Sequence, residues 1–181
     1  MTPDFETFIR NLPAGLFVPH GTVVSAGDLA QVRDVPLAVL PDSYRAFVSI
    51  AGPGYWANDS GAVKPPSELY AFDSDCWEME GFVALVENAG GVGDHIAVNP
   101  RDPQLEGERP VYYCGHDPFS YVRAADTFEA WVRESAQTPL AGRRRYKELD
   151  EVRFESYAKY QAFEKARPRL SGSRRWWQFW R

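Results

Sequence analysis

Metal, nucleophilic and phosphate chemistry could be assembled at only a few places in this chain. His20, His95 and His116 are its only imidazoles, and Cys76 and Cys114 its only thiols. Cys114, His116 and Asp117 fall together in "CGHD", and Asp94 adjoins His95. A structural zinc site wants four ligands, usually as paired Cys/His spacings. One Cys and one His at a strand end fall short of that, with Cys76 far away in the chain. The simpler reading is a buried thiol and a loop histidine that caps a turn, so no metal and no cofactor is expected. "GGVGD", Gly90 to Asp94, has the look of a phosphate cradle. No helix N-terminus follows it to hold an anion, and a turn between two strands explains it. Neither a Gly-x-Ser-x-Gly elbow nor a Gly-x-x-x-x-Gly-Lys loop occurs. An enzyme is not expected.

What the chain has in quantity is charge, unevenly placed. From Arg143 to Arg181 there are 12 basic and 5 acidic residues, whereas Met1 to Gly142 holds 8 basic and 20 acidic. An acidic body thus carries a basic tail; the body favours cationic partners and repels nucleic acid and anionic membrane. Asp73, Asp75, Glu78 and Glu80 crowd around Trp77 and Met79 in "AFDSDCWEMEG". Taken alone, such a run is a solvated loop with Trp77 tucked into the core. It is also a candidate partner surface, on which carboxylates steer a basic protein and a Trp anchors it. Trp56 and Asp59 in "YWANDSG" make a second candidate.

The elements that must carry these residues follow from periodicity. "TPDFETFIRNL" predicts a short helix capped by Thr2, with Pro3 in its first turn. "GLFVPHGTVVS" is an edge strand or a loop, and "AGDLAQVRDV" a short helix. In "LPDSYRAFVSIAGPG", Tyr44, Phe47, Val48 and Ala51 recur at helical spacing between Pro41 and Gly52. "YWANDSGAVKPPS" reads as a loop. "ELYAFD", "FVALVENA", "DHIAVNP", "RPVYYCG" and "FSYVRAA" read as strands too closely spaced for helical crossovers, hence antiparallel. "DTFEAWVRES" returns to a helix, with Asp126 and Glu129 in a capping pattern. The expected class is α+β: a largely antiparallel meander sheet flanked by N-terminal helices and a closing helix. An amphipathic C-terminal helix is predicted from Tyr146, ended by Pro168. Two units result, 1–140 and a basic helical extension over 141–181.

Three of these pieces together resemble the SUKH superfamily. "LPDSYRAFVSIAG" is similar to its Leu-Pro-x-x-[Tyr/Phe]-x-x-Phe helix. "FVALVENAGGVGDHIAVNP" is similar to its central strand pair, whose turn ends in Gly-Asp. "RPVYYCGHDPFSYVRAADTFEAWV" is similar to its next strand, loop and closing helix with a Phe-x-x-[Phe/Trp] pair. The resemblance implies a small α+β protein without catalysis. Many bacterial members are immunity proteins that bind and block a toxin, and fungal relatives include a cell-wall assembly regulator that acts as an interaction hub. It therefore implies a protein partner, foremost a basic toxin domain.

The resemblance does not reach the end of the chain, "SGSRRWWQFWR". Arg174, Arg175, Trp176, Trp177, Phe179 and Trp180 form a basic aromatic cluster there. As a membrane anchor it buries little area, and the acidic body would be repelled from the surface. Docking onto the acidic body, in cis or in trans, suits the charges better. A short linear handle for another protein is the third reading. Two functions stand side by side: an immunity protein that blocks its toxin, and an intracellular adaptor or regulator working through the tail. The absence of a basic-then-apolar leader and of a long apolar run leads to an expectation of a cytoplasmic protein.

Overall fold

A computed structural model describes residues 4–29, 35–90, 93–116 and 119–138. Thr2, Pro3, Asp117 and everything after Thr138 lie outside the described residues. So do the predicted C-terminal helix, the aromatic tail, and residues 91 and 92 of the "GGVGD" turn.

The described chain runs α1 (Phe5–Arg10), β1 (Phe17–Pro19), α2 (Ala26–Leu29), α3 (Asp42–Ile50), β2 (Gly54–Trp56), β3 (Ala62–Val63), β4 (Val83–Ala89), β5 (Asp94–Val98), β6 (Val111–His116), β7 (Phe119–Ala125) and α4 (Phe128–Gln137). The strands form one seven-stranded sheet in the order β1-β2-β3-β4-β5-β6-β7, each pair antiparallel. The fold is the expected α+β meander, with helices before and after it.

Three local expectations are corrected. "YWANDSGAVKPPS" is not a plain loop but the hairpin β2–β3, which joins β1 to the rest of the sheet. Its strands are only three and two residues long, and its turn uses left-handed backbone at Asp59 (φ 61°) and Gly61 (φ 112°). "ELYAFD" is not a strand. It contributes one isolated bridge, Ala71 to Val83, and accompanies the start of β4 where β3 has already ended. The N-cap of α4 is Thr127, whose Oγ1 accepts from Ala130 N at 3.0 Å. Asp126 pairs instead with Arg123 at 2.8 Å.

Strand alternation gives the sheet two unlike faces. Val111 and Tyr113 of β6 join Val83, Leu85 and Ile96 in the main core, beneath the helices. Phe5, Tyr44, Phe47, Phe128 and Trp131 fill it from α1, α3 and α4. Phe47 and Trp131 both lie 6.2 Å from the Trp56 ring. A buried carboxylate ties the helix starts together. Glu108 accepts from Ser43 N at 2.8 Å and from Ser43 Oγ at 2.6 Å, and that hydroxyl accepts from Glu129 N at 3.1 Å. One backbone donor in the first turn of each of α3 and α4 is thus satisfied by one connected group. At Gly54 the sheet leaves no room for a side chain: a Cβ would stand 2.5 Å from the Val18 carbonyl oxygen.

On the opposite face Ala84, Ala97, Cys114 and Phe119 meet Phe72, Met79 and Phe82 in a smaller core. The cover here is not a helix layer but the 3-10 segment Ser74–Met79.

Candidate protein-binding face

The cover segment holds the acidic run. Asp73 Oδ1 accepts from Asp75 N at 3.0 Å, an Asx turn that starts the 3-10 segment. Met79 is its plug, 2% exposed against the smaller core. Asp73, Glu78 and Glu80 stay exposed around it, and Asp75 partly so. The backbone of Trp77 belongs to the same segment. Burying one thioether therefore fixes a short arc of carboxylates over the sheet.

Beside that arc lie two tyrosines that sequence reading did not single out. Tyr112 and Tyr121 rest half-buried on Phe82, with ring centroids 5.4 and 5.0 Å from it. Tyr112 donates its hydroxyl to Asp102 Oδ2 at 2.6 Å. Burial, reinforced by that bond and the Asp102 charge, pushes the Tyr112 phenol up to about 12. Tyr121 is raised by burial and next by the charges of Glu78 and Asp102. An aromatic shelf with a carboxylate from the cover segment and another from the loop before β6 is the result. Alternation in "VYYCGH" and "FSYVRAA" marks these side chains as sharing a face. It does not tell which face the helices leave open.

The shelf continues toward β4. Lys64 Nζ lies 2.6 Å from Glu87 Oε2 and 5.3 Å from the Tyr70 ring centre. Tyr70 is hydrogen-bonded to His95 Nε2 at 2.8 Å, and Phe72 stacks edge-on against the same imidazole at 5.4 Å. Burial, followed by the Lys64 charge, lowers His95 to about 4, so it is neutral near pH 7. Burial, followed by the Asp73 charge, raises the Cys76 thiol to about 12, which suppresses its thiolate and its reactivity.

The second candidate stretch divides. Trp56 is 2% exposed and sits among Phe17, Phe47 and Trp131. It is a core residue and cannot anchor a partner. Asp59 is exposed in the β2–β3 turn, where its carbonyl accepts from Gly90 N at 2.7 Å. The tail residues Arg174 to Trp180 lie outside the described residues.

His95 and His116 are each held by a protein side chain. His116 donates from Nδ1 to Asp94 Oδ1 at 2.7 Å and from its backbone N at 3.1 Å. Tyr113 donates to Asp94 Oδ2 at 2.5 Å. Among the described residues, no three His, Cys, Asp or Glu side chains are grouped so as to hold a metal ion. No described helix is long and apolar enough to cross a membrane.

The model of the SMI1 / KNR4 family (SUKH-1) matches residues 24–134, more than half of the chain. No curated protein and no solved structure matches it.

Proposed function

We propose that this chain, which belongs to the SMI1 / KNR4 family (SUKH-1), is a non-catalytic protein-binding module. In the sharper form of the proposal it is a cytoplasmic immunity protein that binds and blocks a basic toxin domain. The observation that carries this reading is the acidic tyrosine face. Tyrosine is enriched at protein interfaces because it offers a rigid apolar ring with a polar tip. Carboxylates around the rings accelerate encounter with a cationic partner and deter anionic ones. Nuclease toxins have such cationic surfaces because they must hold phosphates. Asp73, Asp75, Glu78, Glu80, Tyr112 and Tyr121 are the proposed contacts, with Trp77 on the same segment; Asp59 is left out, because Asn58 ties its turn to the end of α4. We assign the binding activity to residues 1–140 and treat 141–181 as a basic extension.

The test is growth rescue. The full chain is co-expressed with candidate basic toxin domains, and binding is measured with the purified, catalytically disabled form of any toxin it protects against. Protection that is lost in Asp75→Lys/Glu78→Lys is the expected result. Protection by that variant equal to wild type would remove this face from the mechanism. A second reading, an adaptor acting through its tail, is favoured by the basic aromatic cluster at Arg174–Trp180. It expects the full chain to co-sediment with membranes or a host protein in the absence of any toxin.

A further inference from the structure

We propose that in the free protein the acidic tyrosine face is covered by the chain's own end, Ser171–Arg181, which a basic partner must displace. This inference rests on the reading of that face as the partner site and adds its regulation.

The chemistry of the two surfaces is reciprocal. On the face, the Tyr112 and Tyr121 rings lie beside Asp102 and Glu78. In the segment, Arg174, Arg175 and Arg181 bracket Trp176, Trp177, Phe179 and Trp180. Arginine pairs with carboxylates through a planar fork and stacks on tyrosine, and indoles pack edge-to-face against phenols. The cations of the described domain near this face, Arg109 and Arg123, gather at its Tyr112–Asp102 end. Arg45 is paired with Asp42, Lys64 with Glu87, Arg123 with Asp126, and Arg133 with Asp4 and Glu129. Glu78 and Glu80 meet no such cation among the described residues. The basic groups that could meet Glu78 and Glu80 are concentrated in the last 39 residues, Arg143 onward, which hold 12 of the chain's 20.

Reach does not limit the contact. From Thr138 to Ser171 the chain has 32 intervening residues. Fully helical they span roughly 48 Å at about 1.5 Å per residue, and extended they span over ~100 Å. A domain of this size has a radius of gyration of about 14 Å. Tethering supplies an effective concentration on the order of 1 mM, so a contact worth only ~100 μM between separate molecules is closed about ten to one. A partner competing for the same face then binds about tenfold more weakly than its contacts alone would allow.

One other concavity invites an aromatic segment. It is a groove of about 540 Å³ near β1, walled by Val23, Pro53 and Pro66, with Asp28 and Glu68 at hand. The Asp28 carboxylate is already engaged by Ser25 N at 3.0 Å and Ser25 Oγ at 2.7 Å. The groove therefore has Glu68 left to meet an arginine, where the face has both Glu78 and Glu80.

The test uses the full chain. The native lysines are Lys64, Lys147, Lys159 and Lys165, so peptide mapping by mass spectrometry tells a link made by an amine placed in the tail from theirs. In Gln178→Lys, zero-length carbodiimide coupling should join the new amine to Asp73, Asp75, Glu78, Glu80 or Asp102 of the same molecule. Arg174→Glu/Arg175→Glu added to that variant should abolish the link. Links to Asp28 or Glu68, links only between copies in a mixture of isotopically light and heavy protein, or no link would each overturn the proposal. The cross-link reads cis contact without any partner, so failure to find a toxin leaves that result standing. With a toxin in hand, Arg174→Glu/Arg175→Glu in the otherwise native chain should tighten its binding about tenfold. Unchanged affinity would overturn the competition.

Discussion

Tyr121 stands edge-to-face against Tyr112, ring centroids 5.6 Å apart and planes at 83°. The strand register explains the meeting: Tyr112 faces Arg123 and Tyr121 faces Cys114, so the two tyrosines are diagonal neighbours on one face. Phe82 holds both rings from below. Such a supported aromatic pair, only half-buried in the free protein, has apolar area left to bury in a complex. Tyr112→Ala and Tyr121→Ala should each weaken binding of a basic toxin domain by about 1–3 kcal/mol, as central interface tyrosines do. Tyr121→Phe should retain most of the affinity. Titration calorimetry on the purified pair checks this, and undiminished affinity in both alanine variants would put the interface elsewhere.

The carboxylates have a different signature from the rings. Rim charges act mainly on encounter, and their reach shrinks from about 30 Å at 0.01 M salt to about 3 Å at 1 M. Asp75→Lys/Glu78→Lys should lower the association rate at least tenfold in low salt and bring the two proteins close together at high salt. Stopped-flow association over a salt series measures it. A rate deficit independent of salt would mean that the substitution acts through packing and not through steering.

Much of this arrangement was legible in the sequence, and the failures share a cause. Tyr44, Phe47 and Val48 recur at helical spacing, and their burial on α3 follows from that alone. β4 to β7 are each five to seven residues long and rich in β-branched and aromatic residues, enough for pattern to outweigh context. The β2–β3 hairpin is too short to show alternation, and it exists because β1 and β4 pair on either side of it. Trp56 is in a polar stretch, yet Phe47 and Trp131 bury it from elements that sequence reading cannot bring together. Glu108 reaches Ser43 across 65 positions, beyond any local signal. The acidic cluster was visible as composition. The tyrosine shelf beside it depends on which face of the sheet the helices occupy, and only the assembled fold decides that.

His95 makes the fold sensitive to mild acid. It is 5% exposed, and burial together with Lys64 holds its pKa at about 4 against an ordinary value near 6.5. The folded form therefore resists a proton that the unfolded chain accepts. The stabilisation from neutral His95 is complete above about pH 6.5 and is lost as pH falls toward 4. Between pH 7 and pH 5 this amounts to about 2 kcal/mol at 1.36 kcal/mol per pH unit. Urea unfolding of wild type and His95→Gln at both pH values checks it. The variant should be weaker at pH 7, through loss of the imidazole bonded to Tyr70, but should have a shallower pH slope. Parallel slopes would assign the acid sensitivity to another group.

Asp94 responds at lower pH, and for the opposite chemical reason. It is fully buried, which by itself raises a carboxylate's pKa. The donors of His116 and Tyr113 outweigh that burial and leave the pKa below the ordinary value. A carboxylate held in this way is worth most while it is ionised, so its contribution is complete above the ordinary carboxylate pKa of about 4 and fades as pH drops below it. Asp94→Asn keeps the shape but supplies one carbonyl oxygen where two oxygens accepted, and turns an NH₂ group toward donors. Loss of about 2–4 kcal/mol at pH 7 is expected, the range for breaking a buried charge-assisted network. The deficit relative to wild type should narrow steadily below pH 4, because the unfolded wild-type chain then takes up a proton on Asp94 that the folded form resists. Thermal unfolding of both proteins from pH 7 to pH 3 measures that convergence. A constant gap across the range would show that the cost lies in packing at the β4–β5 end and not in the charge of Asp94.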